Sequence, residues 1–268
     1  MATGLADNIQ LIASDLDGTL LLNGSKSVRK EAYPIIERVC DEGGLFLAAS
    51  GRPHASLMKL FGPVADRIGY LCENGALVIW QGETLVEHVM PREIAMEACH
   101  LAESIPGCKY FVSAASRSYA LGSDQEFIHH LRDVSNVNAC EIERPEDIDE
   151  PVIKVAFMVE AEKNAEVNQI FTEHFGKGCH VVTSGTFWVD MIMDGVNKGV
   201  AIRELADVLG IRLADVAAFG DAENDREMLE AVGHPYLMDP CAETMLDLAP
   251  RCKRCTMVED TLLELLGE

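Results

Sequence analysis

The sequence predicts an α/β protein built on a doubly wound parallel sheet and interrupted by an inserted α+β domain. Two observations carry the sheet. Short apolar runs break at once into polar turns: Gln10 to Ser14 into Asp15-Leu16-Asp17-Gly18-Thr19, Leu45 to Ala49 into Ser50-Gly51-Arg52-Pro53, and Tyr70 to Cys72 into Glu73-Asn74-Gly75. Helical patterns alternate with these runs, which is how parallel strands are connected. A third observation carries the insertion. The same alternation returns near the far end of the chain, after a middle third of different texture.

Each element follows from its residues. Gln10 to Ser14 is apolar and of buried-strand length. Val28, Ala32, Ile35, Ile36 and Val39 line one face of a helix that Ser27 is placed to cap and Gly43-Gly44 to end. Leu45 to Ala49 and Tyr70 to Cys72 are the next two strands. From about Glu87 to Trp188 the pattern gives a helix (Arg92 to Glu103), strands (Lys109 to Val112, Val152 to Val159, His180 to Val182) and a second helix (Asn164 to Phe175). The acidic, Pro-flanked stretch Arg144 to Pro151 reads as a loop. Residues 1–86 and 189–268 are thus expected to form one domain and residues 87–188 the inserted one, with crossings in the hairpin-like segments Leu77 to His88 and Phe187 to Val196. In the return, Ala201, Ile202, Leu205, Val208 and Leu209 form a helical stripe closed by Gly210. Val216 to Phe219 is a strand ending in Gly220-Asp221, and helices follow over Glu223 to Val232 and Met257 to Leu266.

Composition bounds the function. The 268 residues include 22 Lys and Arg against 44 Asp and Glu, a net charge of -22, which disfavours nucleic-acid backbones and anionic membrane surfaces as partners. Nine cysteines, an odd number, and an N-terminus without a basic patch and apolar run point to a cytoplasmic protein with reduced thiols. Apolar runs such as Val155 to Val159 fall far short of the roughly 18 residues a membrane span requires.

Three strand ends carry the polar residues Asp15 and Asp17, Ser50, and Asp221 with Asp225, and Lys198 precedes the last of these strands. In a parallel sheet such ends share one edge, where ligands bind. Carboxylates gathered there repel one another and raise each other's pKa unless a cation sits among them. A hard, oxygen-liganded cation such as Mg²⁺ fits, and the oxygen-only donor set argues against zinc. Asp15 then suits attack on phosphorus as a carboxylate nucleophile, and Asp17 suits protonating the leaving oxygen and later activating water. Gly18 permits the sharp turn that brings backbone N–H groups toward a phosphate. Ser50, Lys198 and Asn224 offer donors and charge to phosphoryl oxygens, Asp221 would ligate the metal, and Asp225 would hold Lys198 or a metal-bound water.

The stretches Asp15-Leu16-Asp17-Gly18-Thr19-Leu20, Ala49-Ser50-Gly51-Arg52-Pro53, Asn197-Lys198-Gly199 and Gly220-Asp221-Ala222-Glu223-Asn224-Asp225-Arg226-Glu227-Met228-Leu229 resemble the four ordered motifs of the haloacid dehalogenase-like (HAD) superfamily. More narrowly, with the turn Glu73-Asn74-Gly75-Ala76, they resemble its Cof-like branch of small-molecule phosphatases. The resemblance implies a Rossmann-like core with a large α+β cap between the second and third motifs. It implies Asp15 as nucleophile, Asp17 as acid and base, and Mg²⁺ bound by Asp15, the Asp17 carbonyl and Asp221. It further implies phosphate binding at Ser50, with Gly51 beside it, and at Lys198 and Asn224. The expected activity is Mg²⁺-dependent hydrolysis of small phosphorylated metabolites, sugar phosphates or phosphorylated cofactors, through an aspartyl phosphate, under a cap that excludes water and selects the leaving group. The alternatives are a sugar phosphomutase and, with less support, a silent phospho-ligand-binding module. One departure is Asp239-Pro240-Cys241-Ala242, where relatives commonly have a Gly-Asn-Ala type turn.

Other motifs take structural readings. Cys252-Lys253-Arg254-Cys255 lacks a second pair at ligand spacing and reads as two reduced thiols. Adjacent His129 and His130 point to opposite sides of a helix and read as surface. Phe157-Met158 and Phe187-Trp188 read as core.

Overall fold

The apolar runs that end in polar turns become adjacent strands in the computed structural model, which describes residues 4–135, 137, 139–184 and 186–268. In chain order the elements begin β1 (Leu11–Ser14), α1 (Ala32–Asp41), β2 (Leu45–Ala49), α2 (His54–Phe61), β3 (Gly69–Cys72), β4 (Leu77–Trp80) and β5 (Glu83–Glu87). They continue α3 (Arg92–Ser104), β6 (Lys109–Ala114), β7 (Ser118–Leu121), α4 (Gln125–Asp133), β8 (Ala139–Ile142), β9 (Val152–Met158), α5 (Asn164–Phe175), β10 (Cys179–Ser184) and β11 (Trp188–Met193). The chain closes with α6 (Lys198–Leu209), β12 (Val216–Gly220), α7 (Arg226–Ala231), β13 (His234–Met238), β14 (Lys253–Cys255) and α8 (Val258–Leu265).

Two units result, one of residues up to Val86 together with Asn197 onward, the other Glu87–Val196. The first holds an eight-stranded sheet in the order β14-β13-β12-β1-β2-β3-β4-β5, parallel from β14 to β3. The strand after β3 turns back antiparallel as β4. Alternation at period two sends Leu11, Ala13, Leu47, Ala49, Val216 and Ala218 to one face, where Ala201, Ile202 and Leu205 of α6 pack with Met228 and Leu229 of α7. On the other side α1 packs against β2 and α8, and α2 against β3, so helices cover both faces. Phe46, Phe61 and Phe219 are among the largest fully buried side chains, each worth about 1.5–3 kcal/mol of transfer free energy.

The second unit is a six-stranded sheet in the order β10-β11-β9-β6-β7-β8, antiparallel except for β7 with β8. Its larger core includes Cys99 and Ala102 of α3, Phe157 and Met191 of the sheet, and Phe171 of α5. Phe157 and Phe171 stack at 3.9 Å between centroids. Phe127, Ile128 and Leu131 of α4 belong to a separate cluster with Phe111 and Ala156.

Several expectations change. A boundary expected at 188/189 lies at 196/197, because Trp188–Met193 pairs with β9 and β10 and so stays in the inserted unit. The first helix starts at Ala32 with no side-chain cap, leaving Ser27 outside it. Phe187 is half exposed rather than core, and the ring of His130 lies 6.4 Å from that of Trp188 instead of facing solvent freely. Cys252 and Cys255 have thiol pKa values raised by burial, which suits inert thiols. Among the described residues, no helix is long and apolar enough to cross a membrane.

Candidate active site

Sheet order explains why residues distant in sequence meet. Strands β12, β1 and β2 are parallel neighbours, and each stops one residue short of a predicted site residue: Asp221, Asp15 and Ser50. Lys198 opens α6, whose N-terminus is capped by Asn197 accepting from the Val200 N–H at 2.8 Å.

Lys198 is fully buried and donates at 2.6 Å to Asp15 Oδ1 and at 2.6 Å to Asp225 Oδ1. The second oxygen of Asp225 accepts from the backbone N–H groups of Asp221 (3.0 Å) and Ala222 (3.1 Å), so this carboxylate is saturated within the protein. Its side chain makes no cap hydrogen bond on α7 itself. Asp221 is half-buried, and its Oδ1 accepts from the Thr19 hydroxyl at 2.9 Å.

Burial, then the neighbouring Asp225 charge, push the Asp15 carboxyl up to about 7, against the lowering pull of Lys198. Asp221 is likewise raised, chiefly by burial. Burial acts to lower the Lys198 ammonium, but the carboxylates of Asp15 and Asp225 outweigh it and the net shift is upward. Lysine therefore stays charged while the acids around it exceed what one cation neutralises. Oxygen atoms of Asp15, Asp221 and Asp225 all lie within 4.8 Å of one another. An all-oxygen, excess-negative cluster of this kind fits a hard divalent ion such as Mg²⁺. Asp15 and Asp221 have more free lone pairs for it than Asp225.

The remaining predicted residues surround this cluster with different exposure. Ser50 is buried, Gly51 half-buried, Asn224 exposed. The Asp17 side chain is 59% exposed and forms a two-contact ion pair with Arg52, Nε to Oδ2 at 3.0 Å and Nη2 to Oδ1 at 2.6 Å. Asn224 donates from Nδ2 to Asn74 Oδ1 at 3.2 Å, and the Asn74 N–H donates to the Ser50 carbonyl at 3.1 Å. Thus Asn74 bridges two phosphate-binding candidates. Thr19, Arg52 and Asn74 stand inside the motif stretches yet had no assigned role from sequence. The positive φ of 56° at Asn74 suits a residue type common in left-handed turns.

A doubly wound sheet with acids and a buried lysine gathered at neighbouring strand ends defines an α/β enzyme. A family model for haloacid dehalogenase-like hydrolases matches residues 12–254, and the chain belongs to that family. Its relatives group it with the Cof-like phosphatases. The chain is similar to 5-amino-6-(5-phospho-D-ribitylamino)uracil phosphatase YbjI of Escherichia coli, 27% identical over 256 residues covering 90% of this chain and 89% of that one. It is also similar to the HMP-PP phosphatase of Serratia proteamaculans, 25% identical over 90% of this chain and 88% of that one. A crystal structure from Eubacterium rectale superposes with a TM-score of 0.84 at 28% identity, covering 96% of this chain and 98% of that one.

Proposed function

We propose that this phosphatase is a Mg²⁺-dependent phosphomonoesterase that hydrolyses small phosphorylated metabolites through an aspartyl phosphate. The observation that carries the reading is Asp15 at the end of the central strand, hydrogen-bonded to a buried lysine and within reach of Asp221 on the adjacent strand end.

Residue roles follow. An Asp15 oxygen bonds phosphorus as the bond from phosphorus to the leaving oxygen breaks. Lys198 fixes the orientation of that carboxylate and adds positive charge beside the phosphoryl oxygens, and Ser50, the Gly51 turn and Asn224 supply further donors. Asp17 gives its proton to the departing oxygen, then takes one from the water that cleaves the aspartyl phosphate. Asp15, Asp221 and the Asp17 carbonyl would hold Mg²⁺, which would supply the charge that keeps Asp15 ionised and offsets the negative phosphoryl group. Asp225 acts as support, holding Lys198 and the turn after β12. The inserted unit is read as the cap.

The relatives' names favour hydrolysis over the mutase alternative, and they justify placing 5-amino-6-(5-phospho-D-ribitylamino)uracil on a substrate panel beside sugar phosphates. The test measures phosphate release from such a panel by the full chain with Mg²⁺, with EDTA, and as Asp15→Asn. Release should fall more than about 1,000-fold in Asp15→Asn and disappear with EDTA. Turnover that survives the substitution removes Asp15 as nucleophile.

A further inference from the structure

Asp17 stands on a tight turn with its carboxylate largely in solvent, where an unrestrained side chain samples several rotamers. Among the described residues, its side-chain partner is Arg52, which grips both oxygens at 3.0 and 2.6 Å. Arg52 is itself anchored to the loop expected to hold phosphate. Its N–H donates to Ser50 Oγ at 3.3 Å, and its carbonyl accepts from the Glu73 N–H at 3.2 Å. An ion pair this exposed contributes little to folding, so its use lies elsewhere. A planar guanidinium fork fixes a carboxylate's direction as well as its distance, which a lysine does not.

We propose that Arg52 is a positioning residue that aims Asp17 at the leaving oxygen and couples its orientation to the Ser50 loop. The inference rests on the reading of Asp17 as acid and base. In the first half-reaction the Asp15 oxygen bonds phosphorus and the phosphorus bond to the leaving oxygen breaks. The proton on one Asp17 oxygen passes to that departing oxygen, which leaves as a neutral alcohol, while the other Asp17 oxygen keeps its contact with Arg52. Arg52 exchanges no proton. Its effect is on where the acid points, and it should therefore matter most where a proton is most needed.

Leaving-group dependence tests this. The full chain, with Mg²⁺, is assayed on p-nitrophenyl phosphate, whose leaving group departs without much protonation, and on β-glycerol phosphate, whose alkoxide does not. The parameter is kcat/KM, which reports steps through departure of the leaving group. Asp17→Asn should lower kcat/KM for β-glycerol phosphate much more than for p-nitrophenyl phosphate. Arg52→Gln should share that pattern, with β-glycerol phosphate falling a further factor on the order of 10 to 100 relative to the aryl ester. Arg52→Lys should recover part of the loss, and the Asp17→Asn, Arg52→Gln double variant should be no worse than Asp17→Asn alone. Equal losses on both esters, or losses that multiply in the double variant, would mean that Arg52 acts on the ester directly, and would overturn the proposal. A leaving-group effect in Asp17→Asn that is absent from Arg52→Gln also overturns it while leaving Asp17 as the acid. No leaving-group effect in Asp17→Asn removes the acid assignment itself.

Discussion

At the scale of single residues the site depends on close approach as much as on charge. Gly18 has a φ of +96°, and a Cβ placed there would lie 2.3 Å from Asp221 Oδ2 and 2.7 Å from its Cγ. Two penalties therefore meet at one position, a backbone conformation that side chains resist and a collision with a proposed metal ligand. Gly24, on the same unit, separates them: its φ is +70° but nothing lies within 4 Å of the Cβ position. Gly18→Ala and Gly24→Ala should each lose about 1 kcal/mol or more of stability in urea unfolding. Only Gly18→Ala should also raise the Mg²⁺ concentration needed for half-maximal phosphatase activity. Equal kinetic behaviour in the two variants would mean that Asp221 tolerates displacement. The sequence made Asp15, Asp17, Ser50, Lys198 and Asp221 legible because each sits at a strand end or helix start, which the apolar pattern locates. Arg52, Thr19 and Asn74 were not legible, because their importance lies in partners reached across turns: Asp17, Asp221 and Asn224. Spacing along a chain does not encode those contacts.

Elements are held together by fewer specific groups, and one of them is a histidine. His100 on α3 reaches Glu146 in the turn before β9 at 2.8 Å and Glu103 at 3.2 Å. Hydrogen bonding to Glu146, then to Glu103, raises the imidazole pKa. A raised folded value means that the pair stabilises fully below the unfolded histidine pKa of about 6.5 and loses this contribution as pH climbs through the folded value. The urea midpoint of wild type should thus exceed that of His100→Gln by more at about pH 5.5 than at about pH 9, by a small margin because the ring is half exposed. A gap that widens with pH would reverse the assignment of a charged ring to the folded state. The pattern of apolar runs located β2 and α5 to the residue, because both are bounded by clear punctuation. It missed β7 and β8 and read β4 and β5 only as hairpin-like, since short strands of four or five residues carry one or two periods of alternation. The misplaced boundary has a tertiary cause. Nothing local in Trp188–Met193 says that its partners are β9 and β10 instead of the parallel sheet.

For the whole molecule, the net charge of -22 argued against a polyanionic partner, and the site gives that excess a local form. Among the described residues, Asp15, Asp17, Asp221 and Asp225 pair with two cations, Lys198 and Arg52, which leaves room for a divalent ion. All of these groups lie in the unit that contains the parallel sheet, so metal binding should be linked to the folding of that unit. An ion that binds the folded state and not the unfolded chain stabilises by RT ln(1 + [L]/Kd), about 2.7 kcal/mol when free ion is a hundredfold above Kd. Mg²⁺ should therefore raise the thermal midpoint of the full chain, and NaCl at matched ionic strength should not, since screening alone acts on the whole acidic surface without filling the cluster. Asp221→Asn should abolish the Mg²⁺-dependent increment. It should also raise the midpoint measured in EDTA relative to wild type in EDTA, because removing one charge relieves the repulsion that Asp221 adds, after burial and Asp225, to the forces raising Asp15. If two transitions are resolved, only the one belonging to the parallel-sheet unit should move with Mg²⁺. A midpoint that responds equally to Mg²⁺ in wild type and Asp221→Asn would show that the ion acts by nonspecific screening, and the carboxylate cluster would then need another explanation for its retained negative charge.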